Sequence, residues 1–135
     1  AGMAFSNAGT ALAHAMAYPI GGKVNSPHGE VTGLLLPHVM RYNVAAAKEK
    51  MIAIAKIFGL DDGTSNDAEL AYAAADAIED LLLDIELPTH LSQIGINETD
   101  LEEIAEKTLP AKRMVRNNPR IPNKESLLEL LQEAY

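Results

Sequence analysis

The chain has 135 residues and a net charge of −8, so it suits one domain and disfavours nucleic acid, whose phosphates require clustered Lys and Arg. It has no cysteine, which excludes disulfides and thiolate metal ligands. The chain has no uncharged apolar run of about 18 residues, so no membrane span is predicted. Its apolar start lacks the basic residues of a signal peptide. We therefore expect a single cytoplasmic domain over residues 1–135.

The composition favours helices over strands. Hydrophobic residues make up 47% of the chain, much of it alanine, and only four Tyr and two Phe are aromatic. Strands prefer β-branched and aromatic residues, whereas small apolar residues at this density favour packed helices. The predicted fold class is an all-α, multi-helix bundle. Residues 1–43 carry a net charge of +1 and residues 44–135 carry −9, so the weakly charged front is either core or a face that something else covers.

Two helices are predicted in the first third. An Ala-rich helix over residues 8–18 should end at Pro19, because proline removes a helical amide donor. Residues 20–29 form a loop dense in Gly and Pro. The next helix, over residues 30–43, contains Pro37, which should kink it or split it in two.

The middle of the chain predicts two further helices. Apolar residues follow the i, i+3, i+4, i+7 pattern over residues 45–59. Asn66 followed by Glu69 predicts a capping box at the start of the longest helix, over residues 67–86.

The last third predicts shorter elements. A short helix begins at Asn97 or Thr99, and residues 109–122 look irregular because they contain three prolines. A final Leu-rich helix covers residues 124–134. No stretch shows the period-two alternation of a strand, and there is no internal repeat.

The four histidines are the candidate metal ligands. His14 lies on the Ala-rich helix, and His28 lies fourteen residues later in a Pro-His-Gly turn. The loop between them can bring both imidazoles to one metal ion, at about 2.0–2.2 Å from each nitrogen. Spacing alone favours two unrelated structural or surface histidines, with the metal pair as the alternative. His38 is typical of a helix-packing residue and His90 of a solvated turn.

Other kinds of site are not predicted. The chain has no GxGxxG or phosphate-binding loop, and no GxSxG or HExxH motif. The aspartates at 61–62 lack the spacing of a calcium-binding loop. The carboxylates within residues 98–106 form a charge run that should face water.

The amino-acid sequence of residues 2–43 is more informative about function than the spacing of the two histidines. It strongly resembles the iron-containing alcohol dehydrogenase family, and a looser match continues to the end of the chain. The resemblance covers only the family's C-terminal helical domain, with its dehydroquinate synthase-like fold. The segments that carry it are Gly-Met-Ala-Phe-Ser-Asn-Ala-Gly, His-Ala-Met-Ala-Tyr-Pro-Ile-Gly-Gly, Ser-Pro-His-Gly, Leu-Leu-Leu-Pro-His-Val-Met-Arg-Tyr-Asn and, more loosely, Pro-Thr-His-Leu and Asn-Pro-Arg.

The resemblance implies a metal site shared between two domains. In the family, an N-terminal α/β domain binds NAD or NADP, and the helical domain closes over it. An Asp and a His from outside this segment hold the metal with two further histidines, which fall on His14 and His28. The metal is Fe(II) or Zn(II), because two imidazoles and a carboxylate bind either and supply decides.

The resemblance also places two residues beside the substrate and the nicotinamide. Phe5 falls at a position that lines their cleft, and Tyr18 stands where many members carry a further histidine. Tyrosine, with a pKa of about 10, is a poorer proton shuttle at neutral pH. Met114 falls in another cleft-lining region. No catalytic residue is assigned within this chain.

The implied function is the C-terminal domain of an NAD(P)-dependent, metal-dependent alcohol dehydrogenase. Such an enzyme interconverts an alcohol with an aldehyde or ketone by hydride transfer. The partners expected are its own N-terminal nucleotide-binding domain and a small alcohol or aldehyde. Alone, the chain should be inactive, and its exposed front favours a homo-oligomer. The alternative is a free-standing helical interaction module with structural histidines; a helical metal-dependent phosphohydrolase would need an adjacent His-Asp pair, which is missing.

Overall fold

Every regular element of the protein is helical. The computed structural model describes all 135 residues and contains no strand, which confirms the all-α prediction. Two 3₁₀ turns cover Leu91–Ile94 and Glu98–Asp100. None of the helices combines the length and the hydropathy that a membrane crossing requires. The α-helices, in chain order, are α1 (Gly2–Ala8), α2 (Leu12–Gly21), α3 (His28–Ile57), α4 (Asp67–Asp84), α5 (Leu101–Thr108), α6 (Lys112–Asn117) and α7 (Lys124–Glu133).

Two hydrophobic clusters hold these helices together. The larger has twenty buried residues, drawn mainly from α2, the first half of α3, α5 and α7. The smaller has eight, from the second half of α3 and from α4. Leu12 and Met16 of α2 and Leu34 of α3 are fully buried in the larger cluster. Packing of α2 on α3 therefore fixes the positions of the two helices that carry His14 and His28.

The prediction that Pro37 kinks or splits its helix is wrong. α3 extends from His28 to Ile57 as two helical arms that meet at a kink, and the kink lies at Ala47, its only non-helical residue (φ −140°, ψ 31°), instead of at Pro37. Proline removes one amide donor, but Leu34 and Leu35 beside it are fully buried and pack the helix through this point. The two helices predicted over 30–43 and 45–59 are thus the two arms of α3.

The bounds of the Ala-rich helix also differ from the prediction. α2 continues past Pro19 to Gly21, because Met16 and Ile20, one turn apart, are both fully buried. Its start lies at Leu12, because Gly9, at φ +76°, separates it from α1. The helix α1 was not predicted; none of its residues is buried.

Two of the later helices match their predicted positions. The Asn66 side chain accepts hydrogen bonds from the amides of Ala68 (2.9 Å) and Glu69 (3.1 Å), and the Asn66 amide donates to the Glu69 carboxylate (3.1 Å), which confirms the capping box. α7 lies where the final helix was predicted, whereas α5 begins at Leu101, after the 3₁₀ turn Glu98–Asp100, and not at Asn97 or Thr99. Residues 109–122 are not irregular throughout, since they contain α6.

A buried pair of asparagines joins α6 to α3. The Asn43 amide donates to the Asn118 side-chain oxygen at 3.1 Å, and the Asn118 amide donates to the Asn43 oxygen at 2.7 Å. Asn118→Ala should lower the free energy of unfolding by about 1–3 kcal/mol, because it strands a buried amide without a partner. Urea unfolding of both proteins measures this. An unchanged midpoint would mean that the pair contributes nothing to stability.

His38 is the packing histidine that the sequence predicted. It is buried, and its Nε2–H donates to the carbonyl of Thr89 at 3.1 Å. Burial lowers the pKa of His38, whereas in the unfolded chain it is about 6.5. The unfolded state therefore binds more protons at mildly acidic pH. The stability that comes from neutral His38 is present above about pH 6.5 and is lost as the pH falls through the lowered folded pKa.

This linkage predicts a specific loss of stability in acid. The free energy of unfolding, measured in urea at pH 7.5 and 5.5, should fall, and it should fall less in His38→Gln, which keeps an amide donor but does not titrate. His14, whose pKa is also lowered, contributes in the same direction. Identical pH slopes in the two proteins would rule out His38 as the cause.

Candidate metal centre

The packing of α2 against α3 brings the rings of His14 and His28 close together in an edge-to-face arrangement. His14 lies on α2 beside the buried residues Leu12 and Ala15, which face the core. His28 is the first residue of α3. The connecting loop is fixed by Lys23, whose ammonium group binds Asp100 at 2.7 Å. As a result the imidazole centroids lie 5.3 Å apart with their planes at 62°.

This spacing suits two ligands of one metal ion. A metal at about 2.1 Å from an imidazole nitrogen lies about 3.2 Å from that ring's centroid, and two rings at the tetrahedral angle are then about 5.2 Å apart. The observed separation of 5.3 Å fits this value. The chemistry fits as well, because imidazole is a good ligand for Fe(II) and Zn(II).

Neither imidazole of the pair is bonded within the protein. His38 and His90 each hydrogen-bond to Thr89, at 3.1 and 2.9 Å, whereas the rings of His14 and His28 have no such partner. His28 is exposed and His14 is half-buried, and no buried side-chain nitrogen or oxygen lacks a partner, so the imidazole nitrogens of the pair can reach solvent. A buried histidine normally has its nitrogens hydrogen-bonded, as His38 does. The imidazole nitrogens of His14 and His28 are therefore available to bind a metal ion or another ligand.

The protonation state of His14 favours metal binding. Its partial burial lowers its pKa, and the neighbouring His28 lowers it further. The imidazole is therefore neutral at physiological pH, which is the form that coordinates a metal.

The chain supplies two ligands and no more. No group of three or more His, Cys, Asp or Glu side chains is arranged to hold a metal ion anywhere in the protein. His38 and His90 lie together elsewhere, with ring centroids 6.2 Å apart. Any stable metal centre that includes His14 and His28 needs donors from other polypeptide.

Two aromatic residues flank the pair. The Phe5 ring centroid lies 6.3 Å from that of His14, and the Tyr18 centroid lies 6.0 Å from that of His28. Both aromatic side chains are more than half exposed, at 57% and 64%. They line a cavity of about 360 Å³ together with Met114. The two histidines are not part of its lining but lie next to Phe5 and Tyr18. The structure thus brings together the four residues that the sequence singled out.

The position of Phe5 depends on a contact between distant segments. Asn117 at the end of α6 donates to the carbonyls of Ala8 (2.8 Å) and Thr10 (3.0 Å), on either side of Gly9. These bonds hold α1 beside α6. α6 was not predicted from the sequence, and neither was the role of its residue Arg113, which also lines the cavity. The available signal was charge, since residues 109–122 contain four cations and no carboxylate.

Known proteins match the whole chain. The family model for the C-terminal part of the Fe-containing alcohol dehydrogenase family matches residues 1–135. The chain is 38% identical over 135 residues to 1,3-propanediol dehydrogenase of Citrobacter freundii and to lactaldehyde reductase of Escherichia coli strain K12. Each alignment covers 100% of this chain and 35% of the relative, so the chain spans about a third of the relatives' length.

Solved structures agree with the sequence relatives. An alcohol dehydrogenase from Oenococcus oeni superposes with a TM-score of 0.92 at 34% identity, over 99% of this chain and 35% of that one. A 1,3-propanediol oxidoreductase superposes with a TM-score of 0.86 at 36% identity, over 93% and 32%. This chain belongs to the Fe-containing alcohol dehydrogenase family and corresponds to its C-terminal region.

Proposed function

We propose that residues 1–135 are the metal-binding helical domain of an NAD(P)-dependent alcohol dehydrogenase, with His14 and His28 as two of the metal ligands. The observation that carries this proposal is the pair of accessible, unbonded imidazoles 5.3 Å apart. A free-standing interaction module would account for an exposed apolar front. It does not account for two adjacent imidazoles at a spacing that suits one metal ion.

The relatives' names support the substrate class. Proteins named 1,3-propanediol dehydrogenase and lactaldehyde reductase act on a small alcohol and a small aldehyde. We assign this chain to the same class of reaction, which interconverts an alcohol with an aldehyde or ketone. NAD or NADP is bound mainly by a separate nucleotide-binding domain, which also supplies the remaining metal donors.

Each residue of the site has a defined task. When bound, a divalent cation acts as a Lewis acid toward the alcohol or carbonyl oxygen, and NAD(P) carries the hydride. His14 and His28 would each hold the cation, Fe(II) or Zn(II), through one imidazole nitrogen. Phe5 and Tyr18 form a wall that excludes water once the nucleotide-binding domain closes on it. The Tyr18 hydroxyl offers a hydrogen bond to substrate or nicotinamide, in place of a proton relay.

The exposed front is the surface for that domain. Met3, Phe5 and Tyr18 are 84%, 57% and 64% exposed, and apolar side chains at such exposure favour a covering partner. We place the protein's own nucleotide-binding domain there. We also predict that the protein forms a homo-oligomer and that it is located in the cytoplasm.

The proposal is tested by activity with and without the second domain. The chain alone should give no NAD-dependent oxidation of 1,3-propanediol, because it has two metal ligands and no nucleotide-binding motif. A polypeptide that joins it to a nucleotide-binding domain of the family should turn over, and His28→Ala in that polypeptide should reduce turnover by at least about a hundredfold. Turnover by the isolated chain, or a His28→Ala protein with full activity, would contradict the proposal.

A further inference from the structure

We propose that the cavity beside the histidine pair recognises substrates that carry a carboxylate or sulfonate group, and that Arg113 is the residue that binds this group. The inference rests on the proposed function and narrows its substrate class. It comes from the side-chain lining of the cavity and from the distribution of charge around it.

The cavity has the dimensions of a small-molecule site. Its volume of about 360 Å³ lies at the lower end of the range for ligand pockets, about 300–1,000 Å³, so it suits a short-chain molecule and not a dinucleotide. Phe5 and Met114 supply apolar surface, and Tyr18 supplies a hydroxyl. Arg113 is the one charged residue in its lining.

Arg113 has no partner within the protein. Lys23, Arg41 and Lys124 each bind two carboxylates. No carboxylate lies within 4.0 Å of the Arg113 guanidinium, although the chain carries 19 Asp and Glu and a net charge of −8. An unpaired arginine in the wall of a cavity is available for a ligand.

The surroundings of Arg113 also lack acidic groups. The segments that line the cavity lie within residues 1–29 and 109–122, and neither segment contains an Asp or a Glu. Lys112 and Arg116 flank Arg113 on α6 and are likewise without ion pairs. No carboxylate of these two segments therefore competes with an anion for Arg113.

These features together describe the preferred ligand. The planar guanidinium binds carboxylate or sulfonate oxygens through two parallel N–H groups. The histidine pair lies next to Phe5 and Tyr18, with ring centroids 6.3 and 6.0 Å away, and under the proposed function it marks where the reacting oxygen belongs. A molecule that joins the two has an alcohol or aldehyde at one end, a short carbon chain, and an anionic group at the other.

Binding of two matched probes tests this assignment. 3-Hydroxypropanoate and 1,3-propanediol have the same carbon chain and differ in one anionic end. They are titrated into the ¹⁵N-labelled chain with EDTA present, so that no carboxylate binds through a metal. The hydroxy acid should bind about three- to tenfold more tightly and shift the amides of Phe5, Arg113 and Met114.

Two variants locate the preference. Arg113→Gln should remove it, whereas Arg116→Gln, with the same change of charge one turn along α6 and outside this cavity, should retain it. Equal affinity for both probes, or a preference that survives Arg113→Gln, would overturn the assignment. A phosphate of the cofactor offers similar chemistry, so adenosine 2′,5′-bisphosphate is the third probe. If it binds at Arg113 more tightly than the hydroxy acid does, Arg113 serves the cofactor and the substrate assignment is wrong.

The outcome is separable from that of the proposed function. His28→Ala should weaken zinc binding by at least about tenfold and keep the preference for the hydroxy acid, whereas Arg113→Gln should keep zinc affinity and lose the preference. A polypeptide joined to the nucleotide-binding domain that discriminates the probes but binds no metal at His14 and His28 would refute the metal site alone.

Discussion

His28→Ala should weaken binding of Zn(II) to the chain by at least about tenfold. In the folded protein the two imidazoles lie 5.3 Å apart and can hold one ion together. With either ring removed, the other is a single ligand in water, because the chain offers no third donor. His14→Ala should therefore have the same effect. Competition with a chromophoric zinc chelator at pH 7.5 measures the dissociation constant.

His90→Ala provides the matched control for these variants. It removes an exposed histidine whose ring is hydrogen-bonded to Thr89. His90 lies beside His38, away from His14 and His28. Zinc affinity should stay within about twofold of the unmodified chain. If all three alanine variants lose affinity equally, zinc binding is distributed over surface histidines and the pair has no special role.

Leu34→Ala should lower the free energy of unfolding by about 2.7–5 kcal/mol, the range for emptying a well-packed leucine site. Leu34 is fully buried where α3 packs in the larger core cluster. Marginal stabilities of about 5–15 kcal/mol mean that this loss is a large fraction of the total. Guanidinium unfolding followed by circular dichroism measures it.

Leu36→Ala makes the same chemical change two residues away. Leu36 is 39% exposed, so its replacement should cost no more than about 0.5–1 kcal/mol. Similar losses in the two variants would mean that the larger cluster is not the packed core described above. Metal binding offers a second readout, since a loosened α2–α3 contact should also weaken the histidine pair.

Local signals in the sequence predicted the helices whose ends are set by side chains. Asn66 and Glu69 form the predicted capping box, and α4 begins where they place it. The prolines misled because their effect depends on tertiary packing. Pro19 and Pro37 lie beside fully buried residues that hold each helix together, and the distortion in α3 occurs at Ala47. No local pattern marks that alanine.

The candidate site divides in the same way. The resemblance pointed to His14, His28, Phe5 and Tyr18, and the structure brings all four together. Composition and spacing alone favoured two unrelated histidines, because they cannot tell whether a ten-residue loop folds back. Arg113 was not predicted for a related reason. The helix α6 lies between prolines, and the position of α6 at the cavity depends on the hydrogen bonds of Asn117 to the chain around Gly9.

The most direct test of the shared metal site is the location of a bound metal ion. Crystals grown with Zn(II) should show one strong anomalous peak between α2 and α3, about 2.0–2.2 Å from one nitrogen of His14 and one of His28. A peak bound by only one of these rings, or located at His38 and His90 with both imidazoles of the pair free, would contradict the account.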